Sequence, residues 1–395
     1  MKAKLVPIKN CVVKAKTWNP VNEAKDEIIT YIDIAAVDKD LKKIVEPTLC
    51  LGSEAPSRAR QLVQKNDVLV STVRPNLNSV AVVSEKFSGA TASTGYTVLR
   101  PLHEILDTQY LFHWVKTDHF INEMVKLATG QSYPAVSDKI ILNSLIPLPP
   151  LSEQRRIASI LDKADELRQK RQQAIEKLDQ LLQATFIDMF GDPVSNPKGF
   201  KVAKLAEQVD LIQIGPFGTQ LHQEDYIENG IPLINPSHIK NGKIIPNDKL
   251  TVSKSKHEEL TQYHLRLNDV LLGRRGEMGR CAVVTEKEVG WLCGTGSLFI
   301  RPNIEKINPF FLELLLSSDS IKKYLENVSQ GQTMANLNKS IVGAIPLILP
   351  SIEIQNKFFI ISEKIDKMKS EFKNAKNRAN NLFESLQNQA FSGNL

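Results

Sequence analysis

Cysteine is scarce. The 395 residues contain four, Cys11, Cys50, Cys281 and Cys293, scattered with no C-x-x-C pair and no histidine at ligand spacing. That pattern offers neither a disulfide framework nor a structural zinc site, and it fits a reducing compartment. No apolar run reaches the roughly 18 residues that a membrane span needs. The start, MKAKLVPIKNC, lacks the apolar core of a secretory signal. The expected location is cytoplasmic, with no membrane partner. Chemistry is equally thin. GRRGEMG (Gly273 to Gly279) lacks the G-K-[ST] ending of a phosphate-binding loop. INPS (Ile234 to Ser237) lacks the second proline and the aromatic with which amino-methyltransferases hold a flipped adenine, and no convincing glycine-rich cofactor loop precedes it. The seven histidines are dispersed, and Asp162, Asp165 and Glu166 read as the solvated face of a helix. No catalytic residue, metal or cofactor is assigned to this chain.

What the chain does have is an internal repeat. AVV at Ala81 returns at Ala282, TG at Thr94 returns at Thr295, and RP at Arg100 returns at Arg301, all at an offset of 201. GQ at Gly130 and Gly331, Pro149 and Pro350, Gln154 and Gln355, and Phe190 and Phe391 keep the same offset; NDVL appears at Asn66 and again at Asn268. Each copy reads as a globular part followed by a long helix. In the second helix the apolar positions Phe358, Ile361, Ile365, Met368, Phe372, Ala375, Ala379, Leu382 and Leu386 form a heptad seam. The first keeps that seam (Ile157, Ile160, Ala164, Leu167, Arg171, Ala174, Leu178, Leu181 and Thr185) and adds a flanking row, Leu161, Ile175, Leu182 and Met189. Each helix is expected to run for about 39 residues, or roughly 58 Å. Ser152 and Ser351 are the expected N-caps, with Gly191 and Gly393 as the stops.

The globular parts alternate short β-like runs with helical stretches, giving an α+β (mixed α/β) class. The strands expected are DVLVSTV (67–73), SVAVVS (79–84) and YTVLRP (96–101), then DVLLG (269–273), RCAVVT (280–285) and SLFIRP (297–302). Helical stretches are expected over 106–128 and 308–328. The domain boundaries follow: a first globular domain over 1–150, a long helix over 151–191, a second globular domain over 192–350, and a second long helix over 351–395.

Lys plus Arg outnumber Asp plus Glu by 50 to 44, a net charge of +6. That permits a polyanionic partner without demanding one. Polar and basic loop clusters recur in both halves. The first half offers Ser57, Arg58 and Arg60; Thr72, Arg74, Asn76 and Asn78; and Gln131 and Tyr133. The second offers Phe217, Thr219 and Gln220; Asn235, Ser237, His238 and Lys240; Arg274, Arg275 and Arg280; and Gln332 and Asn336. Arginine can contact guanine bidentately, Asn or Gln can do so with adenine, and glycine lets backbone approach a phosphate. Arg74 and Arg275 sit at equivalent positions of the 201 offset.

IPLPPLSEQRRIASILDKAD (Ile146 to Asp165), echoed as LILPSIEIQNKF (Leu347 to Phe358), resembles the specificity subunit of type I restriction–modification systems. APSRA with DVLVSTVRP, and GPFGTQL…Y…GIPLIN (Gly215 to Asn235) with DVLLGRRGEMG, resemble that family's target-recognition domains. The second helical entry departs from the pattern, with Ser351 and Ile354 where the first copy has Pro150 and Glu153. The resemblance implies two recognition domains, each reading half of a split site in double-stranded DNA. Their long helices would pair as an antiparallel coiled coil in pseudo-two-fold relation, set the gap, and dock two modification subunits. S-adenosylmethionine would sit on those subunits, endonuclease subunits would join the assembly, and this chain would be non-catalytic. The competing reading is a coiled-coil adaptor binding proteins through its globular ends; a self-sufficient methyltransferase would require cofactor binding by this chain.

Overall fold

The computed structural model describes residues 3–329 and 336–395. It divides into two compact units, Met1–Ala174 with Phe372–Leu395, and Ile175–Glu371. The long helices run Leu151–Phe190 and Ile352–Ser392, so each contributes a segment to both units. Both stop at a glycine with positive φ, Gly191 at 72° and Gly393 at 78°, where a residue with a Cβ is strained. The expected cap at Ser152 is corrected. Helix begins at Leu151, with the Pro150 carbonyl accepting from the amides of Glu153 and Gln154. Proline has no N–H to leave unsatisfied at that place.

Each unit is built on a four-stranded antiparallel sheet. In the first the order is Val80–Val82, Val68–Ser71, Tyr96–Pro101, Val12–Lys14, and Val98 faces Leu69 across the central pair. In the second it is Val209–Ile214, Ser297–Pro302, Val270–Gly273, Cys281–Val283. A mixed sheet accompanies each, five-stranded in the first unit and four-stranded in the second, with one parallel pair: Thr91–Ser93 beside Ile28–Ile32, and Leu292–Cys293 beside Ile231–Ile234. The turn before the central strand is held by an asparagine with positive φ, Asn66 at 72° and Asn268 at 71°. A buried carboxylate follows it, and the arginine of the RP pair grips it with two hydrogen bonds of 2.8 Å: Arg100 on Asp67 and Arg301 on Asp269.

Each expected helical stretch after the sheet is two helices. Thr108–Trp114 and Asp118–Leu127 break where the Thr117 hydroxyl accepts from the Phe120 amide. Pro309–Ser317 and Asp319–Ser329 break at Ser318. They pack on the long helices through an aromatic core. In the first unit Tyr110 and Trp114 each lie 5.1 Å from the Phe391 ring; in the second Phe311 lies 4.7 Å from Phe190. Gln154 and Gln355, both fully buried, tie the start of each long helix to its domain. Their side chains accept from the amides of Asp107 and Asn308 and donate to the Pro149 and Pro350 carbonyls.

The long helices are antiparallel. In the first unit Arg168 Nε donates to Asn380 Oδ1 at 3.0 Å and Lys376 Nζ donates to Gln172 Oε1 at 2.7 Å; in the second Lys369 Nζ meets Asp179 at 2.7 Å. The buried face is not the heptad seam alone. Leu161 and Ile175 of the flanking row are buried together with Ile157 and Leu178 of the seam, whereas the seam residues Leu167, Leu181, Met368 and Leu382 are exposed. A 3.6-residue helix drifts relative to a strict seven-residue repeat, so the flanking row shares the burial with the seam. Asp162 and Asp165 are also more than a solvated face: Asp162 accepts from the buried His113 Nε2 at 2.7 Å, and Asp165 lies 3.6 Å from Lys116. Burial pushes the pKa of both basic partners, His113 and Lys116, down.

Candidate nucleic-acid interface

In the first unit a run of backbone hydrogen bonds fastens four loops that are distant in sequence. The Arg58 carbonyl accepts from the Thr94 amide at 2.8 Å, and the Gly95 carbonyl accepts from the Thr72 amide at 2.9 Å. The Thr72 carbonyl accepts from Val136 at 2.9 Å, and the Arg74 amide donates to Pro134 at 2.7 Å. Ser57 and Arg58, Arg74 and Asn76, and Gln131 and Tyr133 stand exposed on this platform. The Arg74 guanidinium lies over the Tyr133 ring at 4.7 Å, which leaves both reachable from solvent while limiting their motion. Arg60 is half-buried and bonds its neighbour's carbonyl.

The second unit repeats the platform. Arg274 donates its amide to Gly296 at 2.9 Å, its carbonyl accepts from Leu337 at 3.0 Å, and Gly273 donates to Arg280 at 2.8 Å. The corresponding bonds in the first unit join Thr72 to Gly95, Val136 to Thr72, and Ser71 to Ser79. Thr72 therefore matches Arg274, an offset of 202 rather than 201. The equivalence of Arg74 with Arg275 is corrected: the bonds match Arg74 with Gly276, and both have positive φ, 49° and 80°. Arg275 matches Val73, yet it is exposed on the same surface.

Glycine makes this second platform possible. A Cβ on Gly215 would lie 2.0 Å from the Gly294 carbonyl oxygen, and one on Gly294 would lie 2.4 Å from Asn235 Oδ1. The 215–220, 235–240, 273–280 and 294–296 loops thus pack backbone to backbone. Phe217, Thr219, Ser237, Lys240 and Arg275 are exposed on them, while Gln220, Asn235, Arg280 and Asn336 are half-buried. Gln220 accepts from the Tyr263 hydroxyl at 2.7 Å, and Arg280 pairs with Glu277 and bonds the Pro236 carbonyl. Gln332 lies outside the described residues.

Four expected contact residues are turned inward, and their assignment as surface contacts is corrected. Thr72 donates its hydroxyl to Gly95; Asn78 donates its amide to the Val115 carbonyl; Arg274 Nε donates to the Leu337 carbonyl. His238 Nδ1 accepts from the Asn235 amide, and burial lowers its pKa. All four are buried. A loop that runs over a sheet end must satisfy its own polar groups, and these side chains do that. Tyr226, half-buried in the second unit, was not among the expected contacts; it lies within GPFGTQL…Y…GIPLIN, and burial raises its pKa.

Among the described residues, no group of three His, Cys, Asp or Glu is placed to hold a metal, and no helix is long and apolar enough to cross a membrane. The arrangement supports surface recognition by exposed Arg, Lys, amide and aromatic groups on rigid backbone.

Comparison with known proteins agrees. The family described as "Type I restriction modification DNA specificity domain" matches residues 51–177 and 197–380. The chain is similar to the type I restriction enzyme MjaVIII specificity subunit of Methanocaldococcus jannaschii, 28% identical over 81% of this chain and 79% of that protein. It is similar to the EcoBI specificity subunit of Escherichia coli, 27% identical over 66% of this chain and 60% of that protein. A solved chain, from work on complex assembly and conformational transition of the type I R-M system, superposes with a TM-score of 0.66. It is 26% identical, and the match covers 100% of this chain and 98% of that one.

Proposed function

The chain belongs to the type I restriction-modification DNA specificity family, and from that premise we propose that its two platforms read the two halves of a split site in double-stranded DNA. The observation that carries this is the repeated platform beneath unlike side chains. Three equivalent backbone bonds hold the loops of Arg74 and Arg275, about which Arg58, Asn76, Gln131 and Tyr133 are exposed in one unit, and Phe217, Thr219, Ser237 and Lys240 in the other. A constant scaffold with different exposed donors suits two half-sites of different sequence. The adaptor reading gains no support from the relatives.

The long helices set the spacing of the half-sites and dock two modification subunits, whose exposed targets include Leu167, Leu181 and Leu382. S-adenosylmethionine and the methyl transfer belong to those subunits, cleavage to endonuclease subunits, and this chain contributes recognition alone in the cytoplasm. Mobility-shift titrations of the assembled chain and modification subunits against salt test the reading. Each neutralised phosphate contributes about −0.9 to the log–log slope. Arg74→Ala reduces the slope by about 1 if it holds a phosphate, or costs about 1–3 kcal/mol with relaxed specificity at one base. A wild-type slope near zero overturns the reading.

A further inference from the structure

Phe217 is, among the described residues, the one phenylalanine left exposed, at 64%. The loop that carries it is fixed at both ends and free at its tip. On one side the Gly215 amide donates to the Ser297 carbonyl at 3.0 Å, and the backbone packs against Gly294 too closely for any side chain. On the other, Gln220 accepts from the Tyr263 hydroxyl. Gly218 has a φ of 63°, and a Cβ there would meet nothing within 4 Å. That glycine serves the turn and not a tight fit. The aromatic is thus held out on a short, anchored loop beside the platform that presents Arg275, Ser237 and Lys240.

The first unit handles an aromatic at the corresponding exit from its sheet differently. Trp18 follows the strand pair Val12–Lys14 and Lys16–Thr17, packs among Ala55 and Ala59, and donates its indole N–H to Thr91 Oγ1 at 3.2 Å. Packing the scaffold therefore does not require an exposed ring at this place. An exposed apolar side chain in a unit that also exposes Arg275, Ser237 and Lys240 has the chemistry of a wedge, which unstacks a base step while polar groups hold the backbone. Methylation of a base requires its extrusion from the stack, and a wedge lowers that cost.

We propose that Phe217 inserts into the base stack of the half-site read by the second unit. This rests on the DNA reading above, and the test separates the two. Duplexes with a randomised core are selected on the assembled wild-type complex, and the recovered sequence is the probe. Binding is then measured for wild type, Phe217→Leu and Phe217→Ala, on the intact duplex and on duplexes with an abasic site stepped through the half-site. Assembly with modification subunits is measured in parallel by native mass spectrometry. Phe217→Ala should bind the intact duplex about tenfold or more weakly, and Phe217→Leu should retain most of the affinity. An abasic site at one position should bring Phe217→Ala to within about threefold of wild type, because the unstacking has already been done. Unchanged affinity, or a defect equal on every abasic duplex, overturns the wedge and leaves the DNA reading intact. A defect in assembly without DNA overturns it in favour of a protein contact. Failure of wild type to select any sequence overturns both.

Discussion

Replacing Arg301 by Met removes a cation from a buried carboxylate while keeping much of the side-chain length. Asp269 is fully buried and accepts 2.8 Å bonds from Arg301 Nε and Nη2 and from the Arg266 amide. Breaking a buried pair by removing one partner costs about 3–5 kcal/mol, chiefly because the remaining charge has no compensation. Two features place this case at the lower end. The Arg266 amide still donates, and Arg301 is itself 20% exposed, so water can approach the vacated side. A ceiling also exists: protonating a carboxylate of ordinary pKa near 3.9 at pH 7 costs about 4 kcal/mol, after which the group is neutral. The expected loss is therefore about 3–4 kcal/mol. It should appear in hydrogen exchange as faster opening of Val270–Gly273 and Ser297–Pro302, with Val68–Ser71 and Tyr96–Pro101 of the same molecule as internal reference. Arg100→Met should do the reverse, through Asp67. The double variant Asp269→Asn with Arg301→Met should recover at least about 1 kcal/mol over Arg301→Met alone, since no charge is then stranded. A loss below about 1 kcal/mol for Arg301→Met, or strict additivity in the double variant, refutes the reasoning.

Two further predictions concern the second unit and the long helices. Glu313 is pushed up to about 7 by burial, opposed by its bond from the Cys281 thiol, with Asp366 adding in the upward direction. A folded-state pKa above the unfolded one means the folded unit binds more protons between about pH 4.5 and 7, so its stability falls as pH rises through that window. Glu313→Gln should flatten the fall and leave the second unit more stable than wild type at pH 8 by hydrogen exchange; an unchanged pH profile counts against it. Leu178→Asp and Leu181→Asp should separate folding from docking. Leu178 is buried and its change should cost about 3 kcal/mol or more. Leu181 is 52% exposed, so Leu181→Asp should alter stability by no more than about 0.5 kcal/mol while weakening modification-subunit binding in a pull-down. Equal stability losses at the two positions count against the face assignment.

The repeat was legible because it lies in residues with fixed structural duties. Gln154 and Gln355 both bridge helix and domain, Asn66 and Asn268 both hold a left-handed turn, and Arg100 and Arg301 both grip a buried carboxylate. The six strands were also placed to within a few residues, since alternation and turn residues mark them. The register through the loops was hidden. The NDVL pair, Asn66 and Asn268, already stands at an offset of 202, and the hydrogen bonds show that this shift persists through Thr72 and Arg274 and has returned to 201 by Ser79 and Arg280. The inward turn of Thr72, Asn78, His238 and Arg274 was hidden for a related reason: residue type does not reveal whether a polar group faces a partner or closes its own loop. The helix face was ambiguous because the first helix carries two adjacent apolar rows, and burial is shared between them.

The placement of Phe391 bears on what any replacement of the first globular domain would have to preserve. A crossover at the proline pair Pro149–Pro150 would import a new first domain complete with its own loops and sheets. That domain would still have to close over a helix end encoded more than two hundred codons downstream. Tyr110 and Trp114 meet the Phe391 ring at 5.1 Å, and the His113 carbonyl accepts from Gln387. Loop residues that touch neither long helix could change in such a replacement, whereas the residues at positions 110 and 114 would have to keep their fit to the Phe391 ring.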